Sequence, residues 1–235
     1  MLPDKYAYLI LSLLYMIAWT VVFIKSPFKR GMIKVGAVGG LMGVVAEVWY
    51  FRDYWRPPTL FGQGIPGIED YIIGFAMFGV GGYIYSSFTK REIDYEKQTK
   101  PKYRDFFWIF ITGIGSLTVF SMGFGIHSGY VTFITFFLLS VYIWFQRPDL
   151  IKLSWISAIA TGAISFLIYY INFNLLFPHF WDEYGMLDDK PLLGIRIANI
   201  PLSEMLWHFT WAMLCSMFRG YRNGVYYKET PAKSV

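Results

Sequence analysis

The sequence predicts an all-α integral membrane protein with about seven transmembrane helices, and three observations lead to that reading. Apolar residues make up 55% of the chain and charged residues 16%, where a soluble domain carries roughly 25% charged residues. Mean hydropathy is +0.41, so the chain lacks the polar surface to cover itself in water. Apolar runs long enough to cross a bilayer recur along it, with the basic residues between them. Cys215 is the only cysteine, which excludes an internal disulfide and a cysteine-based zinc or iron–sulfur site. Disorder and a coiled coil both need more charge than is present.

In chain order the expected helices span residues 6–24, 32–50, 68–88, 106–125, 130–145, 155–173 and 201–217. Backbone polar groups in lipid must be satisfied within each span, so runs of this length are helices. The first run is longer than a signal peptide's apolar core. It has no small-residue cleavage site before Lys25-Ser26-Pro27, and is expected to be retained. Pro66 stands at the opening of the third run and Pro201 begins the seventh, and proline suits a first helical turn whose amides lack partners anyway. The first, fourth and fifth runs carry no internal carboxylate.

Orientation follows from Lys and Arg. Lys25, Lys29, Arg30 and Lys34 lie around the junction of the first two runs, and Lys90, Arg91, Lys97, Lys100, Lys102 and Arg104 lie between the third and fourth. Arg147 and Lys152 follow the fifth; Arg219, Arg222, Lys228 and Lys233 follow the seventh. Sixteen of the twenty-one basic residues therefore share one side, leaving Lys5, Arg52, Arg56, Lys190 and Arg196 on the other. The positive-inside rule places the N-terminus outside and the C-terminus in the cytoplasm. The net charge of +5 is then a topology signal, and no nucleic-acid partner is expected.

The chain also repeats itself. Ile65-Pro66-Gly67-Ile68-Glu69 and Ile200-Pro201-Leu202-Ser203-Glu204 both read I-P-x-x-E at the outer mouth of a helix. Upstream of them lie Phe51-Arg52-Asp53-Tyr54 and Trp181-Asp182-Glu183-Tyr184, then Leu60-Phe61-Gly62 and Leu192-Leu193-Gly194, with extra residues in the polar insertion around Asp188-Asp189-Lys190. The expected organisation is a first three-helix repeat with its cytoplasmic loop (1–104), a connector helix (105–128), a second repeat (129–219) and a basic tail (220–235). One intervening helix makes the repeats parallel. A working site is expected between them, with Glu69 and Glu204 approaching across the interface.

Carboxylates near a membrane are costly and usually functional. The candidates are Glu47, Asp53, Glu69, Asp70, Asp182, Glu183 and Glu204, all near the outer face. A carboxyl group in apolar surroundings can hold a proton near neutral pH and act as a general acid. P-x-x-E is also an ordinary helix start, with the helix dipole favouring the anion, and Asp53 and Asp182 could instead cap loops or pair with Arg52, Arg56 or Arg196. Trp49, Tyr50, Tyr54, Trp55, Tyr71, Trp181, Trp207 and Trp211 crowd the same level. Most fit an interfacial belt, and a minority could line a site and stabilise a cation with their ring faces. Glu204 and His208 share a helical face, but the first-half counterpart of His208 is Ile73, so no metal site is expected. His127, in the turn Ile126-His127-Ser128-Gly129, is expected to face water.

The segment from Leu193 to Trp207, Leu-Gly-Ile-Arg-Ile-Ala-Asn-Ile-Pro-Leu-Ser-Glu-Met-Leu-Trp, resembles the signature of the small membrane lycopene cyclases, close to G-I-x-I-x-N-[LI]-P-[IL]-E-E-x-L-[FW]-F. That family is built from three-helix domains, fused in some members into seven helices. The resemblance implies a cofactor-independent, acid-catalysed isomerisation. A carboxylic acid protonates the terminal double bond of a linear carotenoid, the cation closes to a six-membered ring, and a ring proton is lost. Carried over by position, Glu69 and Glu204 match the motif's last glutamate; the expected catalytic residues are Glu69 or Asp70 as acid and Glu204 as partner or base, and Asp53, Asp182, Trp207, Trp211 and His208 are the candidates for contact with the substrate. Two departures stand out: Ser203 occupies the place of the motif's first glutamate, and the first-half pair Glu69-Asp70 is shifted by one unless Gly67 is an insertion. The partners implied are a polyene substrate and the bilayer, with a prokaryotic plasma membrane favoured. The alternative is a non-enzymatic binder or carrier of a polyene or isoprenoid, with the same cavity and no working acid.

Overall fold

The computed structural model describes residues 3–89, 91–187 and 189–229; Lys90, Asp188 and Lys233, which entered the charge and insertion readings, lie outside them. Among the described residues the main helices are α1 (Ala7–Lys25), α2 (Lys29–Asp53), α3 (Ile68–Phe88), α4 (Tyr103–Ser116), α5 (Ser128–Gln146), α6 (Ile151–Tyr170) and α8 (Leu202–Cys215), with short helices α7 (Phe180–Tyr184) and α9 (Phe218–Asn223). α4 and α6 continue into wider π-helical turns over Leu117–Gly123 and Ile171–Leu176. Six helical stretches, α1 to α6 with these extensions, are long and apolar enough to cross a membrane.

The seventh expected span is shorter. α8 has 14 residues, against the roughly 20 that a lipid-facing span needs. It is enclosed by α3, α5 and α6, so neighbouring helices rather than bilayer thickness set its length. After a turn at Ser216 and Met217 the chain continues as α9.

Departing from a purely helical expectation, three antiparallel ribbons close the ends. β1 (Pro58–Thr59) pairs with β2 (Gly62–Gln63), β3 (Arg91–Asp94) with β6 (Tyr226–Glu229), and β4 (Arg196–Ile197) with β5 (Ile200–Pro201). The β4–β5 turn puts Ala198 and Asn199 at φ 48° and 58°, the left-handed pair that a two-residue hairpin needs. The Asn199 amide donates to the Phe173 and Pro178 carbonyls, which pins the ribbon over the end of α6 and presents Pro201 to α8.

Helix packing centres on α3 and α8. α3 lies against α1 and α2, α8 against α5 and α6, and α3 meets α8 and α6. α2 and α3 approach unusually closely, because Gly36, Gly39, Gly40 and Gly43 face α3. A Cβ on Gly43 would collide with the Asp70 carbonyl, and one on Gly74 with the Gly39 carbonyl. Small residues at such spacing let helix backbones touch. Glu47 lies one turn beyond Gly43 on the same face, so the glycines bring its carboxyl to α3.

Candidate active site

An apolar slot of about 180 Å³ runs between α2, α3, α4, α5 and α8. Along α4 it is lined from Phe106 to Leu117, roughly 16 Å at about 1.5 Å per residue. α4 is also the wall most exposed to the surroundings, burying only Ile109 within its α-helical part.

Glu47, Asp70 and Glu204 line one end of the slot, and no Lys or Arg among the described residues lines it. All three are buried, Asp70 to 1% exposure and the two glutamates to 5%. Buried carboxyl groups without a cation are tolerated only when protons and hydrogen bonds make up for lost water. Asp70 accepts from the Tyr8 hydroxyl at 2.5 Å and from the Gly67 amide at 2.6 Å, the second being the back-bond of a helix start. The Glu47 carboxyl, on the adjoining helix α2, lines the same end of the slot. Asp70 accepts at both oxygens, and the Trp55 indole donates to Glu47 Oε2 at 3.2 Å.

Glu204 is held differently. The Tyr169 hydroxyl donates to its Oε2 at 2.6 Å, and the neighbouring Ser203 Oγ accepts the Tyr54 hydroxyl at 3.1 Å. His208 Nε2 lies 3.8 Å from Glu204 Oε2 and 3.0 Å from the Tyr15 hydroxyl. Trp207 and Trp211 form the adjacent wall, with Phe78 4.1 Å and Phe136 5.2 Å from Trp211 between ring centres. The Trp207 indole donates to the Tyr50 hydroxyl at 2.9 Å, which fixes its ring.

Of the residues expected at the site, Asp70, Glu204, Trp207, His208 and Trp211 line the slot. Glu69 does not: it is fully buried but turned to the β1–β2 ribbon, where Oε1 accepts the Leu60 amide at 2.8 Å. The expected approach of Glu69 to Glu204 is thus replaced by Asp70 facing the slot with Glu204. The reason is register. α3 starts at Ile68 and α8 at Leu202, so Glu69 aligns with Ser203 and Asp70 with Glu204, and Gly67 is the inserted residue. Asp53 and Asp182 also lie off the slot. Asp53 accepts from the Ser128 amide and hydroxyl, tying α2 to the start of α5, and Asp182 pairs with Arg196 at 2.6 Å. His127, expected in water, is buried; its Nδ1 accepts the Gly129 amide at the start of α5, and burial pushes its imidazole below the ordinary histidine range.

Sequence reasoning named Glu47 without giving it a role and missed the phenols of Tyr8 and Tyr169. A tyrosine in an apolar run gives no signal that its hydroxyl meets a carboxylate from a distant helix.

The geometry is an acid-bearing pocket at the end of an apolar slot, and the comparison with known families agrees with it. Residues 127–221 match the family described as lycopene cyclase. The matched segment includes Tyr169, Glu204, Trp207, His208 and Trp211, while Glu47 and Asp70 come from the part of the chain before it. No match was found among curated proteins or among solved structures.

Proposed function

We propose that this protein is a cofactor-independent carotenoid cyclase of the membrane, closing a ring at the end of a linear polyene. Support comes from the lycopene cyclase match over residues 127–221 and, above all, from three buried carboxyl groups, Glu47, Asp70 and Glu204, gathered at one end of an apolar slot that no Lys or Arg among the described residues lines. An end group seated there would receive the Glu47 proton on its terminal double bond, and Asp70, hydrogen-bonded to Tyr8, would relay the next proton. The resulting tertiary cation is attacked by the neighbouring double bond, which forms the ring carbon–carbon bond and moves the charge into the ring. Loss of a ring proton to Glu204 restores a double bond. No electrons are gained or lost, and one proton enters as one leaves. The ring faces of Trp207 and Trp211 would stabilise the passing charge. Excluding water protects the cation from capture.

The same reading takes α1–α3 and α5, α6 and α8 as two parallel units joined by α4, with the N-terminus outside, in a prokaryotic plasma membrane. The substrate would enter sideways past α4, since a polyene does not approach from water.

The test is expression in a bacterium that accumulates lycopene, with chromatography of the pigments. Cyclic product that falls roughly 10²- to 10⁴-fold in Glu47→Gln, the range for loss of a general acid, is the expected result. Unchanged lycopene from well-expressed, membrane-inserted protein would sink the cyclase reading, and pigment co-purifying with that protein would favour a carrier.

A further inference from the structure

A second cavity, of about 780 Å³, opens at the opposite end of the molecule, between the turn that precedes α2 and helices α2, α3, α4 and α9. Lys29, Arg30, Lys34, Arg219 and Arg222 line it, and no Asp or Glu among the described residues does. Basic residues at a helix end are the ordinary positive-inside pattern. Three further features separate this cavity from that pattern. The Arg219 guanidinium lies 3.3 Å over the Phe28 ring, and its Nη1 is buried with no hydrogen-bond partner among the described residues. Arg222 is stacked against Tyr103 and Phe106, at 5.2 and 5.8 Å from their ring centres. Guanidinium groups held flat in this way keep their N–H edges for planar or tetrahedral oxyanions. Beside these cations the lining is apolar at Val35, Val38, Phe78 and Phe110.

We infer that this cavity binds a membrane lipid with an anionic phosphate headgroup, its phosphate on Arg219 and Arg222 and an acyl chain along Val35, Val38 and Phe110. A buried, unpartnered N–H calls for an acceptor. The five cations supply the charge complement, and the apolar lining distinguishes a lipid from a free anion. Phe78, Phe106, Phe110 and Phe218 line both this cavity and the slot, so the acyl chain would border the slot's inner end. The inference does not depend on the cyclase reading.

The test uses the full chain purified in neutral detergent. Lipid retention is read by native mass spectrometry and by thermal shift with phosphatidylglycerol, phosphatidylcholine of the same chains, or inorganic phosphate. Phosphatidylglycerol is expected to bind and raise Tm while the other two do not. Arg219→Gln should weaken that binding roughly tenfold or more, and Lys152→Gln, outside the cavity, should leave it unchanged. Should Arg219→Gln not fold, the double variant Lys34→Gln/Arg222→Gln at two exposed positions gives the same reading. Equal binding of both lipids, equal protection by inorganic phosphate, or undiminished binding by the cavity variants would each overturn the inference.

Discussion

The mouths of α3 and α8 begin alike and end differently. In both, the third helical residue turns to the slot, Asp70 in one and Glu204 in the other, while the second turns aside, Glu69 to the β1–β2 ribbon and Ser203 to the Tyr54 hydroxyl. In both, a tyrosine donates to the third residue, Tyr8 from α1 and Tyr169 from α6. The difference lies in what the neighbouring helices α2 and α6 contribute. α2 brings a carboxyl group, Glu47, to Asp70, whereas α6 brings the Tyr169 phenol to Glu204. A carboxylic acid releases its proton far more readily than a phenol. Under the proposed function the first mouth would give a proton up and the second would accept one from the ring cation. Apparent twofold likeness in the backbone coexists with a division of chemical labour.

The comparison is broken most sharply by exchanging the roles of neighbouring acids. Asp70→Asn is expected to abolish most cyclic product, by roughly 10²-fold or more, while Glu69→Gln keeps turnover within a few fold and lowers Tm, because its carboxylate only accepts the Leu60 amide. Pigment chromatography beside a melting curve reads both. A Glu69→Gln enzyme that is folded and dead would reverse the assignment.

Next in size is Gly43→Ala. A methyl group there meets the Asp70 carbonyl and forces α2 off α3, at about 1–3 kcal/mol for overpacking. Product should fall with Tm, and a second-site substitution that restores Tm without restoring product would show that the Glu47–Asp70 spacing is what the glycine protects. Tyr8→Phe and Tyr169→Phe each remove a hydrogen bond to a carboxylate, worth about 1.5–3 kcal/mol. Both should slow turnover roughly 10- to 100-fold, with Tyr8→Phe also changing the pH–rate profile through Asp70. Identical profiles for the two variants would argue against the division of labour.

The smallest effect expected is at His127. Its folded imidazole sits below the ordinary value because burial outweighs the opposing Asp53 charge. The neutral form is the one the fold prefers, so its contribution is complete above about pH 6.5 and is lost as pH falls below that toward the depressed folded value. Melting curves between pH 5 and 8, pH values chosen to span the ordinary histidine pKa of about 6.5, should show a shallow decline on the acid side that His127→Asn flattens, since asparagine also serves as a helix N-cap.

Much of this was legible in the chain. Apolar runs, their length and the placement of Lys and Arg dictate a helical membrane protein, since lipid leaves the backbone no other way to satisfy itself. The recurrence of I-P-x-x-E marked where the two important helices begin, and the signature around Asn199 and Pro201 pointed to the family. Local spacing could not decide which acid of the pair Glu69-Asp70 faces inward. That depends on where the first helical turn closes, and Gly67 shifts it by one residue. Nor could it place Glu47 at the same end of the slot as Asp70, or pair Tyr8 with Asp70 or Tyr169 with Glu204. Those juxtapositions join residues 23, 62 and 35 positions apart and exist only because a glycine face on α2 and the enclosure of α8 fix how the helices cross. One-dimensional pattern set the apolar helices and the resemblance around Asn199 and Pro201; tertiary packing decided which acids line the slot, since the distances between helices are contained in no linear spacing.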